Sequence, residues 1–285
     1  GLCLTNPAKM SSMNPERSRR KSALGKLIQE GNEMIETLGY QAYTTREQMK
    51  DEAGVADTFR RVAALGYDTV QTAGCQTVGY ETYARLAQEA GLTICGTHEN
   101  FDEMAADPEA AMEHHRILGT KNIGIGGYWA INNADDIREF IRKANRFADT
   151  IAQHGFKFTY HNHHREFRRF EGKTMMDWFR EGFDPDTVSF VLDTYWVQAG
   201  GGDVRHMMEQ LAGRIDILHL KDMRIKEDNM YEITEIGNGN LWWEGILKTA
   251  ADIGVQYYVV EQDICPGDPL ESLKQSAAYL QQFRV

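Results

Sequence analysis

Between positions 156 and 167 the chain reads Phe-Lys-Phe-Thr-Tyr-His-Asn-His-His-Arg-Glu-Phe, a β-rich run ending in histidines, an asparagine, an arginine and a glutamate. As a strand over 156–163, its period-two alternation puts His161 and His163 on one face and Asn162 on the other. Two imidazoles converging where a strand runs out suit a metal ion, although clustered histidines also occur in plain solvated loops. Three later runs decide between these readings. Asp193 closes the apolar run 188–192, His219 lies within 215–220, and Glu261 closes 255–260. An ionisable group inside an apolar run is costly to bury unless it is paired or bound to a metal. His161, Asp193, His219 and Glu261 are therefore expected to hold one divalent ion, with His163 as the reserve ligand. Mixed imidazole and carboxylate donors point to Mn²⁺ first, with Zn²⁺, Co²⁺ or Fe²⁺ as alternatives, and away from Ca²⁺. The absence of cysteine at these ends disfavours a structural zinc site and leaves open positions for a substrate.

The elements that must bring these side chains together follow a regular alternation. Strands are expected at 40–44, 68–73, 92–96, 122–126, 156–163, 188–192, 215–220 and 255–260. Helical patterns at 54–65, 83–90, 108–118, 133–154, 175–180, 204–211, 243–253 and 269–283 follow them in turn. Gly66, Gly91, Gly119 and Gly155 each end a helix before a short β-branched run, as αβ connections require. Eight such units fit an α/β fold of the (β/α)8 TIM-barrel type, a single catalytic domain over 39–285. In that fold, side chains at the C-terminal ends of successive strands converge on one site. Residues 1–38 are read as a polar tail and an N-terminal helix (23–38) outside the barrel. A doubly wound open sheet is the competing architecture, but no glycine-rich dinucleotide or phosphate-binding loop follows the first strand. The histidines at 114, 115 and 154 fall within helical patterns and read as surface residues.

Composition narrows the function classes. The 285 residues carry a net charge of −11, which disfavours nucleic acid and anionic membrane surfaces as partners. No apolar run approaches the roughly 18 residues of a membrane helix. Four dispersed cysteines, Cys3, Cys75, Cys95 and Cys265, suggest reduced thiols and a cytoplasmic location. The basic run Ser18-Arg19-Arg20-Lys21 sits in a polar tail without an apolar segment, so an intact secretory signal is not expected. A small-molecule substrate is the expected partner, with a homo-oligomer or a partner subunit left open.

Several pieces resemble the sugar phosphate isomerase/epimerase branch of the xylose-isomerase-like barrels: Tyr160-His161-Asn162-His163 with Glu166-Phe167, Leu192-Asp193-Thr194-Tyr195-Trp196, Leu218-His219-Leu220-Lys221-Asp222, Glu235-Ile236-Gly237-Asn238-Gly239 and Val260-Glu261-Gln262-Asp263. The resemblance covers residues 39 onward. It implies one divalent metal held by His161, Asp193, His219 and Glu261, and a metal-dependent isomerase or epimerase of keto-sugars working through an enediolate. Two positions depart from the pattern: His161 and Gln71 stand where relatives have glutamate. Since that first glutamate is half of the epimerases' acid/base pair, a lyase or dehydratase acting on a keto-sugar or cyclitol, or cleaving C-glycosides, is the alternative. His163, Glu261 and His98 are candidate bases. Lys221 is either an electrophilic partner of the enolate oxygen or a structural partner of Asp222. Trp196, Tyr43 and Trp129 are expected to wall the sugar. Glu166 either contacts substrate hydroxyls or, the preferred reading, orients the histidines. A related DNA phosphodiester hydrolase conflicts with the acidic charge. A non-catalytic sugar-binding barrel conflicts with retention of all four ligand positions.

Overall fold

A computed structural model describes residues 34–74 and 77–285. Eight parallel strands form the barrel: β1 (Leu38–Gln41), β2 (Thr69–Gln71), β3 (Thr93–Gly96), β4 (Asn122–Ile125), β5 (Lys157–His161), β6 (Val188–Asp193), β7 (Ile215–Leu220) and β8 (Tyr257–Val260). Their order around the sheet is β3-β2-β1-β8-β7-β6-β5-β4. The helices are α1 (Glu52–Ala64), α2 (Tyr80–Glu89), α3 (Phe101–Ala106), α4 (Pro108–Leu118), α5 (Ala134–Ala152), α6 (Met175–Gly182), α7 (Thr194–Ala199), α8 (Val204–Gln210), α9 (Trp243–Asp252) and α10 (Pro269–Leu280).

The alternation sorts each strand into an outer row packed under the helices and an inner row. Inside, Ser189 donates to Asp216 at 2.6 Å and Lys157 pairs with it at 3.1 Å, which plugs the lower end. A bulge between β6 and β7 leaves Asp216 without a strand partner and frees it for this role. Above it, Cys95, Val191, Ile217 and Val259 form an apolar cluster of their own. Two residues beyond Val191, Ile217 and Val259 the inner row becomes ionisable, at Asp193, His219 and Glu261. That change of character where the strands end is what makes a site.

The outer row fixes the strands. On β5, Tyr160 is packed by Phe140 of α5 and by Phe179 and Phe183 at the end of α6, with ring centroids 4.8–5.8 Å apart. Helix α5 presents Ile137, Phe140, Ala144, Phe147 and Ile151 inward. It begins at an Asn133 cap that is reciprocated by Asp136. Each buried aromatic contributes about 1.5–3 kcal/mol. With Tyr160 held outside, His161 has no alternative but to face in.

The barrel closes between β3 and β4 through side chains as well as backbone. Glu99 N–H donates to the Gly124 carbonyl at 2.9 Å, and Gly124 N–H donates to Thr97 Oγ1 at 3.2 Å. A Cβ on Gly124 would lie 2.3 Å from the Thr97 carbonyl oxygen, so only glycine allows this approach. His115 locks the seam from α4. Its Nδ1–H donates to the Ala111 carbonyl at 2.6 Å, and Nε2 accepts from Thr97 Oγ1 at 2.7 Å. The expectation that His115 is a surface residue is thereby corrected: its ring is fully buried. Helical periodicity could not show that its face packs on the seam. Burial, which disfavours the imidazolium, lowers His115 to about 4. The unfolded chain takes up this proton as pH falls below about 6.5 while the folded one does not, so stability is lost between there and about 4. In urea titrations the wild type should lose stability more steeply than His115→Gln over this window, by at most about 1.4 kcal/mol per pH unit. Parallel curves would remove His115 from that role.

Several elements depart from the sequence expectation. The first strand starts at Leu38 and gives way to a 3-10 turn at Ala42–Thr45. Of the helix expected over 23–38, residues 23–33 lie outside the described residues. In the remainder, Ile35 instead bridges to Arg284 and Leu38 opens β1. Helices α3 and α7 and the hairpins Arg169–Phe170/Lys173–Thr174 and Asp222–Ile225/Tyr231–Thr234 are additions. They are too short to leave a periodic signature. Among the described residues, no helix is long and apolar enough to cross a membrane.

Candidate metal centre and active site

Strand register places the four expected ligands together. Asp193 stands opposite His219 across β6 and β7, His161 pairs with Val191 two residues below Asp193, and Glu261 follows Val260, the partner of Leu220. Their ligand atoms all lie within 4.8 Å of one another, and all four residues are buried. His219 Nδ1 is 3.0 Å from Glu261 Oε2 and 3.7 Å from Asp193 Oδ2, and His161 Nε2 is 3.4 Å from Asp193 Oδ2. Two donors each about 2.0–2.3 Å from a shared ion stand about 3–4.6 Å apart; the three separations above fall in that range, and the 4.8 Å limit of the whole set exceeds it only slightly.

The hydrogen bonds behind the imidazoles fit as well. His219 Nε2 faces Gln71 Oε1 at 2.5 Å, and His161 Nδ1 faces the Gly126 carbonyl at 3.4 Å. Both partners are acceptors, so each far nitrogen carries the proton and each inward nitrogen keeps its lone pair for a metal. Gln71 is fixed in turn by Gln41 Nε2 at 3.2 Å. Gln71 is thus the group that sets the His219 tautomer. Asn162 does comparable work, with its Oδ1 accepting from Asp193 N–H at 3.0 Å.

Lys221 is fully buried, and its Nζ lies 3.1 Å from Asp193, 2.7 Å from Glu261 and 2.8 Å from Asp263. Burial pulls the ammonium's pKa down, but the three carboxylates outweigh it and hold the pKa above the usual lysine value. Burial likewise works to raise the Asp193 and Glu261 carboxyls. Lys221 and the imidazoles more than reverse this and keep both ionised. The Lys221–Asp222 pairing is corrected. Successive strand residues point to opposite faces, and Asp222 instead accepts from Trp243 Nε1 (2.7 Å) and from the backbone of Gly237 (2.9 Å), Gly239 (3.1 Å) and Leu241 (3.2 Å). The Gly237–Gly239 turn is therefore pinned from beneath.

A cavity of about 590 Å³ opens above these groups, lined among others by Tyr43, His98, Glu99, Asp102, Trp129, His161, His163, Glu261 and Asp263. His163 sits between two indoles, with ring centroids 5.1 Å from Trp129 and 5.3 Å from Trp196. Among the described residues its Nδ1 is a buried atom without a hydrogen-bond partner, as is His98 Nε2. Burial, then the neighbouring His161, lowers His163 to about 3; burial likewise lowers His98, so both rings are neutral. Trp196 also lies under the Lys221 ammonium, 5.1 Å from its ring centroid. Trp129 is 63% exposed at the mouth and is backed by the Arg165 guanidinium. Glu166 does not line the cavity. It is wholly buried and accepts from Tyr160 Oη and from His163 N–H, both at 2.8 Å, so it fixes the backbone that carries His163 and not an imidazole. Burial pushes its carboxyl up to about 7.

Sequence reasoning passed over Gln41, Asn162, Glu99 and Asp263 as site residues. Asp263 alone carried a signal, since it continues the inward alternation two residues beyond Glu261.

A family model described as xylose isomerase-like TIM barrel matches residues 59–283. A solved sugar phosphate isomerase/epimerase from Parabacteroides distasonis is 26% identical, with a TM-score of 0.75 over 87% of this chain and 94% of that one. A probable 3-DHS dehydratase from Bacillus anthracis, 13% identical with a TM-score of 0.66 over 87% of this chain and 99% of that one, shares the fold. An inosose dehydratase of Mesomycoplasma hyopneumoniae is 26% identical over 154 residues, 48% of this chain and 51% of that one. The chain thus spans about half the length of the curated relatives it matches.

Proposed function

Since the chain belongs to the xylose isomerase-like TIM barrel family, we propose that it is a divalent-metal-dependent enzyme that removes the proton α to the ketone of a keto-sugar or cyclitol. The observation that carries this is the buried His161–Asp193–His219–Glu261 cluster at the floor of a cavity lined by the neutral imidazoles of His98 and His163. A divalent ion, Mn²⁺ by preference, would supply Lewis-acid polarisation of the ketone and its neighbouring hydroxyl. The chain does the rest. His163, neutral and lining the cavity, accepts the α proton. Lys221, kept charged by three carboxylates, offers a positive field to the oxygen that gains charge. Trp129 and Tyr43 present apolar faces to the ring, while Trp196, expected to wall it too, is not among the cavity's lining residues and packs behind His163.

The resulting enediolate has two fates. Reprotonation gives isomerisation or epimerisation; loss of a β-oxygen gives dehydration or lyase chemistry. Two observations favour the second: similarity to inosose dehydratases, and an imidazole at position 161 where a two-carboxylate epimerase would need a carboxylate. The test is incubation with inososes, 3-keto-glycosides and ketoses in deuterated water. Deuterium should enter the α carbon of substrate or product only when the metal is present. Products then separate the fates, as a stereoisomer or as an unsaturated ketone with released water or aglycone. Turnover by hydride transfer without solvent exchange would sink the reading.

A further inference from the structure

We propose that the cavity selects an uncharged polyhydroxylated ketone and discriminates against phosphate esters and carboxylated keto acids. This rests on the keto-sugar reading of the same site. Among the described residues, four carboxylates (Glu99, Asp102, Glu261 and Asp263) and no lysine or arginine line the cavity. Phosphate and carboxylate groups are held by arginine forks, lysines or free helix N-termini, and each nearby candidate is already engaged. Lys221 is buried against three carboxylates. Arg46 donates to the carbonyls of Tyr43 (2.7 Å) and Asp263 (3.1 Å), with its guanidinium over the Tyr43 ring. Arg165 donates to the carbonyls of Tyr128 (3.3 Å) and Ile131 (3.1 Å). At the start of α3 the N–H groups of Asp102 and Glu103 already donate to Asn100 Oδ1, and both residues are acidic.

Charge balance points the same way. A divalent ion offsets Asp193 and Glu261, and Lys221 offsets Asp263. Glu99 and Asp102 then give the far wall a negative field that an incoming anion must meet. Burial raises the Glu99 carboxyl, which weakens that field without reversing it. The same carboxylates are hydrogen-bond acceptors, matched to the hydroxyl donors of a polyol. The exposed Trp129 and Tyr43 rings suit its C–H faces.

The test uses the full metal-loaded chain and calorimetric titration with matched pairs: a neutral keto-sugar against its 6-phosphate, and a neutral inosose against a cyclic keto acid of the same ring size. The neutral member of each pair should bind at least about 10-fold tighter, a margin that narrows as salt is added. Asp102→Lys should tighten binding of the phosphate ester several-fold and narrow the preference for the neutral partner, as expected when a charge facing the incoming anion is reversed. Equal or tighter binding of the anionic member, no binding of any neutral member, or an unchanged phosphate affinity in Asp102→Lys would overturn the inference. Binding is read without turnover. A neutral ligand that binds preferentially but shows no α-carbon exchange therefore refutes the proposed reaction and leaves the substrate class standing.

Discussion

In an Asp193→Asn protein, elemental analysis should find metal content falling from about one ion per chain to near zero, and turnover should fall by at least about 10³-fold. That loss corresponds to the several kcal/mol a Lewis acid contributes. Asparagine is the informative substitution. Asp193 Oδ1 caps α7 by accepting from Trp196 N–H at 2.8 Å, while Oδ2 faces His161, His219 and Lys221. The amide oxygen can keep the cap, whereas the charge that attracts a cation is gone. Asp193→Ala loses both, and removing the cap alone costs about 0.5–2 kcal/mol. The asparagine variant should therefore keep a melting temperature closer to wild type while losing metal to the same extent. Stoichiometric metal in Asp193→Asn would refute the ligand assignment. Loss of metal in Asp193→Ala alone would show that the cap, not the charge, was being measured.

The parts of this centre that are legible in the sequence share one property: each is an ionisable residue where an apolar strand ends. Asp193, His219 and Glu261 stand out because burial without a partner is so costly there. Gln41 and Asn162 do not, because a neutral amide at a strand end hints at nothing until register brings it beside another polar group, and Gln71 stands out only against the family resemblance. Lys221 shows the opposite difficulty. Its neighbour in sequence, Asp222, is an obvious partner on paper, yet strand geometry sends the two to opposite faces and gives Lys221 partners from β6 and beyond β8. His115 is hidden for a third reason. A helical pattern tells which residues share a face, but not that this face meets the β3–β4 seam, where Thr97 awaits a hydrogen-bond acceptor. The eight-unit alternation is readable throughout because glycine ends and β-branched runs are local signals. The short α3, α7 and both hairpins are set by tertiary contacts instead.

Replacing His163 by glutamine should lower turnover by at least about 10²-fold, the low end for a lost general base, with metal content and melting temperature close to wild type. The geometry supports that separation. His163 is not within the ligand cluster; its ring centroid is 4.8 Å from that of His161 and its ring is nearly perpendicular to it. Its backbone N–H is held by Glu166, a contact the substitution leaves alone. Glutamine retains a hydrogen-bonding end but cannot carry a proton away, so α-carbon deuterium uptake should fall in step with turnover. A merely structural role would instead lower the melting temperature and leave the exchange-to-turnover ratio unchanged. Glu261 is the weaker candidate, because its carboxylate belongs to the proposed ligand set. His98 remains the other candidate, with its Nε2 unpartnered and Nδ1 3.4 Å from Gln41 Nε2. Near-normal exchange in His163→Gln, with the loss transferred to His98→Gln, would move the base across the cavity to the β3 side.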